Sequence, residues 1–170
     1  MIWFRMFWIR FMVPRLPKGG VDEYRIAFHC LPTDLDLNNH MTNSRYQNFL
    51  DMGRFNLMIR TRIWERVRAA GLSTVLGTST IRFRREIKLW QRFEVSARLI
   101  AWDERWLYFE HRIYVNGDTA AVAIAKCAFI GKTGRAPVEK VREILALLGP
   151  SPPFSELARA KNALDALLTA

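Results

Sequence analysis

Residues 33–46 bring several side chains capable of acid–base chemistry into one short segment. Within it lie two carboxylates, three amides and a histidine: Asp34, Asp36, Asn38, Asn39, His40 and Asn43. A carboxylate can activate water or attack a carbonyl directly, and a histidine can transfer a proton near neutral pH. Loops rich in Asp and Asn before helices also occur as simple capped turns. The segment therefore indicates either a catalytic loop or a turn that introduces a helix.

The elements on either side of this loop are a strand and a long helix. Residues 24–31 alternate as a strand does and end at Pro32. Thr42 or Asn43 is suited to cap a helix. The positions after them form one apolar helical stripe: Tyr46, Phe49, Leu50, Gly53 and Leu57. We expect this helix to continue to Gly71, and we expect its glycine at position 53 to mark a close approach of another backbone.

The rest of the chain predicts mainly β-structure. Strand patterns cover 73–88, 92–102, 105–115 and 119–131, and Asn116-Gly117 is a strong hairpin signal. Short helices are predicted at 138–148 and 154–168. A single long helix among strands in local hairpins predicts a curved antiparallel sheet wrapped around that helix. We divide the chain into an apolar and basic N-terminal segment that ends in a Pro- and Gly-containing linker at 14–20 (1–20), a main domain (21–149) and a proline-rich spacer with a final helix (150–170).

Residues 1–13 are rich in Trp and Phe and contain only Arg5 and Arg10 as charged residues. The segment is shorter than the roughly 20 residues that cross a bilayer. Three interpretations of this segment are compatible with its sequence: a peripheral membrane anchor, a segment packed on a partner subunit, or an extension upstream of a start at Met6 or Met12.

The formal net charge is +10, which favours anionic partners of some kind. The aromatic and basic signature of an RNA-recognition strand is absent, so nucleic acid is not expected. The histidines and cysteines have no metal-ligand spacing, and we expect no metal. Cys30 and Cys127 are expected to be buried free thiols.

The pattern Asp36-x-Asn38-Asn39-His40-Met41-x-Asn43-x-x-Tyr46, followed by a helix and four strands, resembles the hotdog-fold acyl-CoA thioesterases. It is most similar to the 4-hydroxybenzoyl-CoA thioesterase-like branch and its acyl-ACP thioesterase relatives, over about residues 22–149. The resemblance implies an α+β hotdog fold and hydrolysis of an acyl-CoA or acyl-ACP thioester in a homodimer or homotetramer. Coenzyme A would enter only as part of the substrate. The N-terminal segment and residues 102–106 resemble a bacterial, membrane-associated subgroup, which implies a cytoplasmic protein with optional contact at the inner face of the membrane.

The resemblance also implies roles for individual residues. Asp36 matches the catalytic acid, as general base or nucleophile, and Asn38 and His40 match its neighbours in the motif. The backbone of Asn43 would meet the thioester oxygen, and Tyr46 closes the motif in the helix. Glu86, also a substrate-contact candidate, matches a downstream acid of the acyl-ACP thioesterases. The phosphates of coenzyme A would be met by basic side chains, which are alternatively a solvated basic face: Arg82, Arg84, Arg85, Lys88, Lys132 and Arg135.

Four other positions carry expectations of their own. The family commonly has Gly where this chain has Asn39, and Asn is the next most tolerant residue for a left-handed turn. In that family, Asn is frequent at the position of Thr42, and either residue is suited to cap a helix. Asp51 is the reserve catalytic acid, or it pairs with Arg54, and Asp34 is expected to be a solvated loop residue.

Two other functions share the implied fold. Hotdog enoyl-CoA hydratases use D-x-N-P-x-H, whereas here the histidine lies one residue closer and no proline follows Asn38. The other alternative is a non-catalytic, membrane-tethered protein that binds acyl groups.

Overall fold

The computed structural model describes residues 2–13, 23–145 and 151–168. Its helices are α1 (Ile2–Met12), α2 (Asn43–Arg60), α3 (Ile63–Ala69), α4 (Val138–Leu145) and α5 (Glu156–Leu168). Its strands are β1 (Tyr24–His29), β2 (Ser73–Phe83), β3 (Arg92–Trp102), β4 (Leu107–Val115), β5 (Asp118–Gly131) and β6 (Gly134–Arg135). A short 3-10 turn, Pro32–Asp34, lies between β1 and α2.

The strands form one sheet in the order β1-β3-β4-β5-β2, and β6 pairs with β5. β1 runs antiparallel to β3, with Tyr24 opposite Ala97 and His29 opposite Arg92. The predicted α+β class is therefore confirmed. By its internal contacts the chain divides into two compact units, the first formed by 1–61, 81–98 and 111–123 and the second by 62–80, 99–110 and 124–170.

The core of the first unit lies between α2 and β1 with β3. The rings of Phe28, Phe49 and Phe93 contact one another, with centroids 4.7–5.9 Å apart. Gly53 faces β3 so closely that an added Cβ would lie 2.8 Å from Val95 Cγ1. The expectation that a glycine in this helix marks a close approach is confirmed, because any side chain at this position would force Val95 to move.

Helix α1 belongs to the same unit and packs on α2. Ile9 and Val13 are buried, whereas its outer face carries four exposed aromatic side chains: Phe4, Phe7, Trp8 and Phe11. No helix among the described residues is long and apolar enough to cross a membrane.

The prediction of one continuous helix to Gly71 is wrong. Helix α2 ends at Arg60, and Arg62 adopts a left-handed conformation with φ 59°. The Thr61 hydroxyl donates to Leu57 O at 2.7 Å, which caps the last turn of α2. A separate helix, α3, then reaches Ala69, and Gly71 follows with φ +68°. Apolar periodicity continues across the break, so the pattern alone did not reveal it.

The second unit contains α3 packed on α4 and a small core under α5. That core joins Tyr108 and Ile124 of the sheet to Ala158 of α5, with Phe154 packed against it. The predicted helices are confirmed at 138–145 and 156–168. Residues 146–148, which were also predicted to be helical, lie outside the described part of the chain, as do the linker at 14–20 and Pro150.

The hairpin signal is confirmed. Asn116 and Gly117 both have positive φ, 51° and 86°, between β4 and β5, as a tight two-residue turn requires. The prediction that β2 continues to Lys88 is wrong. It ends at Phe83 because the amides of Arg84 and Arg85 both bond to Ala120 O, which interrupts the ladder. The chain from 84 to 91 then forms a loop, and in it Ile87 O accepts the N–H of Met41 at 2.8 Å.

Candidate functional site

The loop that carries Asp36 is a closed turn. Leu35 and Met41 form a bridge at its base, and Asp36 N–H donates to His40 O at 2.9 Å. Asn39 N–H donates to Asp36 O at 3.2 Å, and Asn39 adopts φ 61°. This left-handed position explains how asparagine replaces the glycine that the family commonly has there. The backbone therefore holds positions 36 and 40 face to face.

The side chains of Asp36 and His40 form the chemical centre of this loop. Asp36 Oδ2 lies 3.4 Å from His40 Nδ1, and both side chains are about 30% exposed. The other carboxylate oxygen of Asp36 accepts the N–H of Asn38 at 2.8 Å. The carboxylate is thus held by the backbone and faces an imidazole, and it stays open to water. Such a pair can accept a proton from water and pass it on.

His40 opens onto a cavity of about 280 Å³, which lies entirely within the first unit. Its lining consists of His40, Met41, Asn43, Tyr46, Phe83, Arg84, Arg85 and Glu86. Six of these residues were predicted as site residues from the sequence. Three predicted residues, Asp36, Asn38 and Arg82, do not line it; Asp36 adjoins the cavity through His40, and Asn38 supplies a backbone bond to that carboxylate.

Asn43 occupies the first position of α2. Thr42 before it is extended, with φ −64° and ψ 143°, and makes no side-chain capping bond. The first amides of a helix have no intrahelical acceptor, and the helix dipole favours negative charge beside them. The N-terminus of α2 therefore lies beside the cavity at Asn43, and a free amide there can stabilise a developing oxyanion.

Tyr46 forms the inner wall of the cavity. It is buried, its hydroxyl donates to Arg85 O at 3.4 Å, and its ring meets that of Phe83 edge-on at 4.9 Å. Burial raises the pKa of Tyr46 to about 12, with smaller contributions from Cys30 and Glu86. Tyr46 is therefore a neutral hydroxyl that braces the 83–86 segment, in addition to its place in the helix core.

The structure separates the predicted phosphate-binding residues by their partners. Arg85 pairs with Asp118 at 2.5 Å, and Lys88 pairs with Glu86 at 3.0 Å. Arg82 and Arg84 are exposed, and no acidic side chain in the described residues pairs with either. Arg84 is thus the uncompensated cation on the cavity itself. Two further candidates, Lys132 and Arg135, belong to the second unit and do not line this cavity.

The expectation that Asp34 is a solvated loop residue is wrong. Asp34 is 2% exposed, and the guanidinium of Arg5 donates to both of its oxygens, at 3.1 and 2.7 Å. The same carboxylate accepts Leu31 N–H at 2.9 Å and lies 3.7 Å from Arg45 Nε. Arg5 also lies over the Phe49 ring. Asp34 therefore ties α1 to the base of the loop that carries Asp36, and the only sequence signal for this pair was an arginine in an apolar run.

The reserve acid, Asp51, pairs with Arg54 three residues further along α2, as its spacing predicted. Arg54 is buried and also approaches Nε2 of His111, at 3.5 Å. The fully buried His111 was not singled out in the sequence because it lies in a strand with no motif around it. The described residues contain no group of His, Cys, Asp or Glu arranged to hold a metal ion, and Cys30 and Cys127 are buried free thiols, as predicted.

Comparison with known proteins identifies the family of this chain. The family model of the thioesterase-like superfamily matches residues 30–158. The chain is 34% identical to Protein THEM6 of Xenopus laevis over 141 residues, which cover 82% of this chain and 67% of that protein. It is 30% identical to Thioesterase lcsJ of Purpureocillium lilacinum over 188 residues, which cover 91% of this chain and 60% of that protein. The chain spans about half to two thirds of the length of the curated relatives it matches.

Among solved structures, the fold is similar to that of the Escherichia coli protein YbaW, described as a probable thioesterase. The TM-score is 0.67 at 21% identity, and the match covers 71% of this chain and 95% of that one. This likeness confirms the predicted hotdog fold. The bacterial, membrane-associated subgroup stays a prediction.

Proposed function

Since the chain belongs to the thioesterase-like superfamily, we propose that it hydrolyses an acyl-CoA thioester, or alternatively an acyl-ACP thioester, to a free acid and a thiol. The observation that carries this proposal is the Asp36–His40 pair, 3.4 Å apart, next to a cavity that the N-terminus of α2 also reaches. Relatives that are named as thioesterases or probable thioesterases support the reaction class.

Two routes use these groups. In the first, Asp36 takes a proton from water as the water attacks the thioester carbonyl. In the second, Asp36 attacks the carbonyl itself, and water then hydrolyses the mixed anhydride. In both routes, the backbone N–H at Asn43 donates to the developing oxyanion. His40 donates a proton to the departing thiolate, and the proton removed from water is then passed to His40. A single turnover in ¹⁸O-water tests the anhydride route, because attack of water on the Asp36 carbonyl of the anhydride leaves unlabelled product and ¹⁸O in Asp36. Direct attack of water on the thioester labels the product and leaves Asp36 unlabelled.

The arginines beside the cavity are assigned to bind the phosphates of coenzyme A. The phosphates of coenzyme A need cations that are not already neutralised, and Arg84 and Arg82 meet that requirement better than Arg85, which Asp118 compensates. Arg84→Gln is expected to raise KM for acyl-CoA and to leave KM for the matching acyl-pantetheine unchanged. An equal rise for both substrates would remove Arg84 from phosphate binding.

We also propose a homodimer or homotetramer, in which a second subunit completes the pocket, and a cytoplasmic protein whose α1 rests on the inner face of a membrane. The four aromatic side chains on the outer face of α1 support the membrane contact, since Trp and Phe suit the bilayer interface. Vesicle flotation with Phe7→Ser/Trp8→Ser beside the unchanged protein tests this contact, and equal flotation of both proteins would argue against it.

The decisive experiment is thiol release from acyl-CoAs of graded chain length. Asp36→Asn keeps the shape of the side chain and removes its basicity, so turnover is expected to fall by about 10²-fold or more. Asp51→Asn is the matched control on α2 and should retain activity. Equal rates for Asp36→Asn and the unchanged protein would remove Asp36 as the acid. Hydration of crotonyl-CoA, or binding of acyl-CoA with no turnover at any chain length, would replace the hydrolase with one of the two alternatives.

A further inference from the structure

A larger cavity, of about 750 Å³, lies within the second unit and shares no lining residue with the pocket beside His40. Its volume is in the range of small-molecule sites, about 300–1,000 Å³. It is bounded by β2, by the turn between β3 and β4, and by α5. Six residues matter for its chemistry: Asp103, Trp106, Tyr108, Lys126, Arg135 and Asp165.

One wall of this cavity is an indole held in place by two contacts. Trp106 lies directly on Gly77, where a methyl group would overlap the ring. The guanidinium of Arg135 lies 4.3 Å from the centroid of the same ring. No acidic side chain in the described part of the chain pairs with Arg135. Stacking fixes the plane of the guanidinium and leaves its N–H groups available at the edge of the cavity.

At the buried end of the cavity, two lysines share one carboxylate. Lys126 Nζ lies 2.7 Å from Asp165, and Lys161 binds the same carboxylate and donates to Thr78 Oγ1 at 2.7 Å. The two lysines are 7% and 3% exposed. Asp165 is the only described carboxylate within ion-pair distance of either ammonium. Burial opposes ionisation of Asp165, but its bonds to the two lysines outweigh that effect and lower its pKa. Two buried cations therefore share one anion.

Two other acids line the cavity: Glu104 is exposed to solvent, and Asp103 is already occupied by hydrogen bonds within its own turn. Asp103 accepts the N–H groups of Arg105 and Trp106, both at 2.8 Å, and the hydroxyl of Tyr108 at 2.5 Å. Burial and the bond to Asp103 raise the pKa of Tyr108, so the phenol is neutral. Asp103 thus holds the turn together and does not compensate the lysines. A buried charge without a counter-charge is costly, and an anion in the cavity would remove that cost.

We propose that this cavity binds a small carboxylate with an apolar body. The carboxylate lies between Lys126 and Arg135, and the body contacts Trp106. A single negative charge matches the one uncompensated buried cation, whereas a phosphate monoester carries up to two. Ala166 and the exposed Leu168 add apolar surface on the α5 side. This site is separate from the proposed thioesterase centre and does not depend on it.

Isothermal titration of the full chain with hexanoate tests the proposal. Hexan-1-ol has the same body without the charge, and inorganic phosphate has the charge without the body. We expect one hexanoate per chain and at least about tenfold weaker binding of the other two, because a charge-assisted hydrogen bond contributes about that factor. Absence of saturable hexanoate binding, or equal binding of hexan-1-ol, would overturn the proposal. Tighter binding of phosphate would overturn the carboxylate assignment.

Two variants test whether hexanoate binds in this cavity. Lys126→Met leaves Lys161 and Asp165 as a matched pair, so the fold should be retained, and thermal unfolding checks this. Arg135→Gln changes an exposed side chain. Each is expected to weaken hexanoate binding at least about tenfold. Arg84→Gln, in the other pocket, is the control and should bind hexanoate normally. If Arg84→Gln loses binding and the two cavity variants keep it, hexanoate binds beside His40 and the inference is wrong.

Discussion

Removing the guanidinium of Arg5 should destabilise the protein far more than its place in an apolar N-terminal helix implies. Arg5→Gln leaves Asp34, which is 2% exposed, without the two charge-assisted hydrogen bonds at 3.1 and 2.7 Å. Each such bond contributes about 1.5–3 kcal/mol, and breaking a buried ion pair costs about 3–5 kcal/mol. Leu31 N–H and Arg45, at 2.9 and 3.7 Å, still face the carboxylate and reduce the loss. We therefore expect the free energy of unfolding to fall by about 2–4 kcal/mol.

The measurement is urea unfolding of Arg5→Gln beside Arg10→Gln. Arg10 lies on the same helix and is exposed, so its variant controls for the loss of a positive charge and should stay within about 0.5 kcal/mol of the unchanged protein. The double variant Arg5→Gln/Asp34→Asn should lose less stability than the sum of the two single variants, because it removes both charges together. Equal stabilities of the Arg5 and Arg10 variants, or strict additivity in the double variant, would refute a buried pair between α1 and the loop.

Three further predictions concern the loop and α2. Gly53→Ala places a methyl group 2.8 Å from Val95 Cγ1 and should lower the free energy of unfolding by about 1–3 kcal/mol. The same substitution should cost less stability when Val95 is also replaced by Ala. An equal loss in both backgrounds, measured by urea unfolding, would contradict the close approach. Tyr46 has a pKa raised to about 12 from 10.0, so the native state favours its neutral form. The stability that this shift contributes is complete below pH 10 and is lost as the pH rises towards 12. Tyr46→Phe should therefore unfold with less alkaline dependence than the unchanged protein between pH 9 and about 11.5, and identical pH profiles would argue against it. Asn39→Ala should cost about 1 kcal/mol because φ is 61°, whereas Asn39→Gly should be neutral or stabilising; equal thermal midpoints for the two variants would rule out the left-handed turn.

Several features of this protein were predictable from short stretches of sequence. The start of α2, its buried stripe and the close approach at Gly53 follow from side-chain spacing within one helix. The turn at Asn116-Gly117 follows from two residues that accept positive φ. The loop around Asp36 was recognisable for the same reason, since the hydrogen bonds of Asp36 itself join residues no more than four apart. Each of these is a local property, encoded in neighbouring positions.

Only the tertiary structure decided the features that join distant residues. Asp34 meets Arg5 across 29 residues, so its burial could not be judged from its polar surroundings. The end of α2 at Arg60 and the end of β2 at Phe83 depend on where the backbone's hydrogen bonds close, while the apolar periodicity continues past both. Lys126, Lys161 and Asp165 are unremarkable on their own elements, and they form a charged cluster only because α5 packs on the sheet of its unit. Packing, rather than residue type, determines which charges are paired, and that is the physical reason the sequence revealed the loop but not the α1 contact or the second cavity.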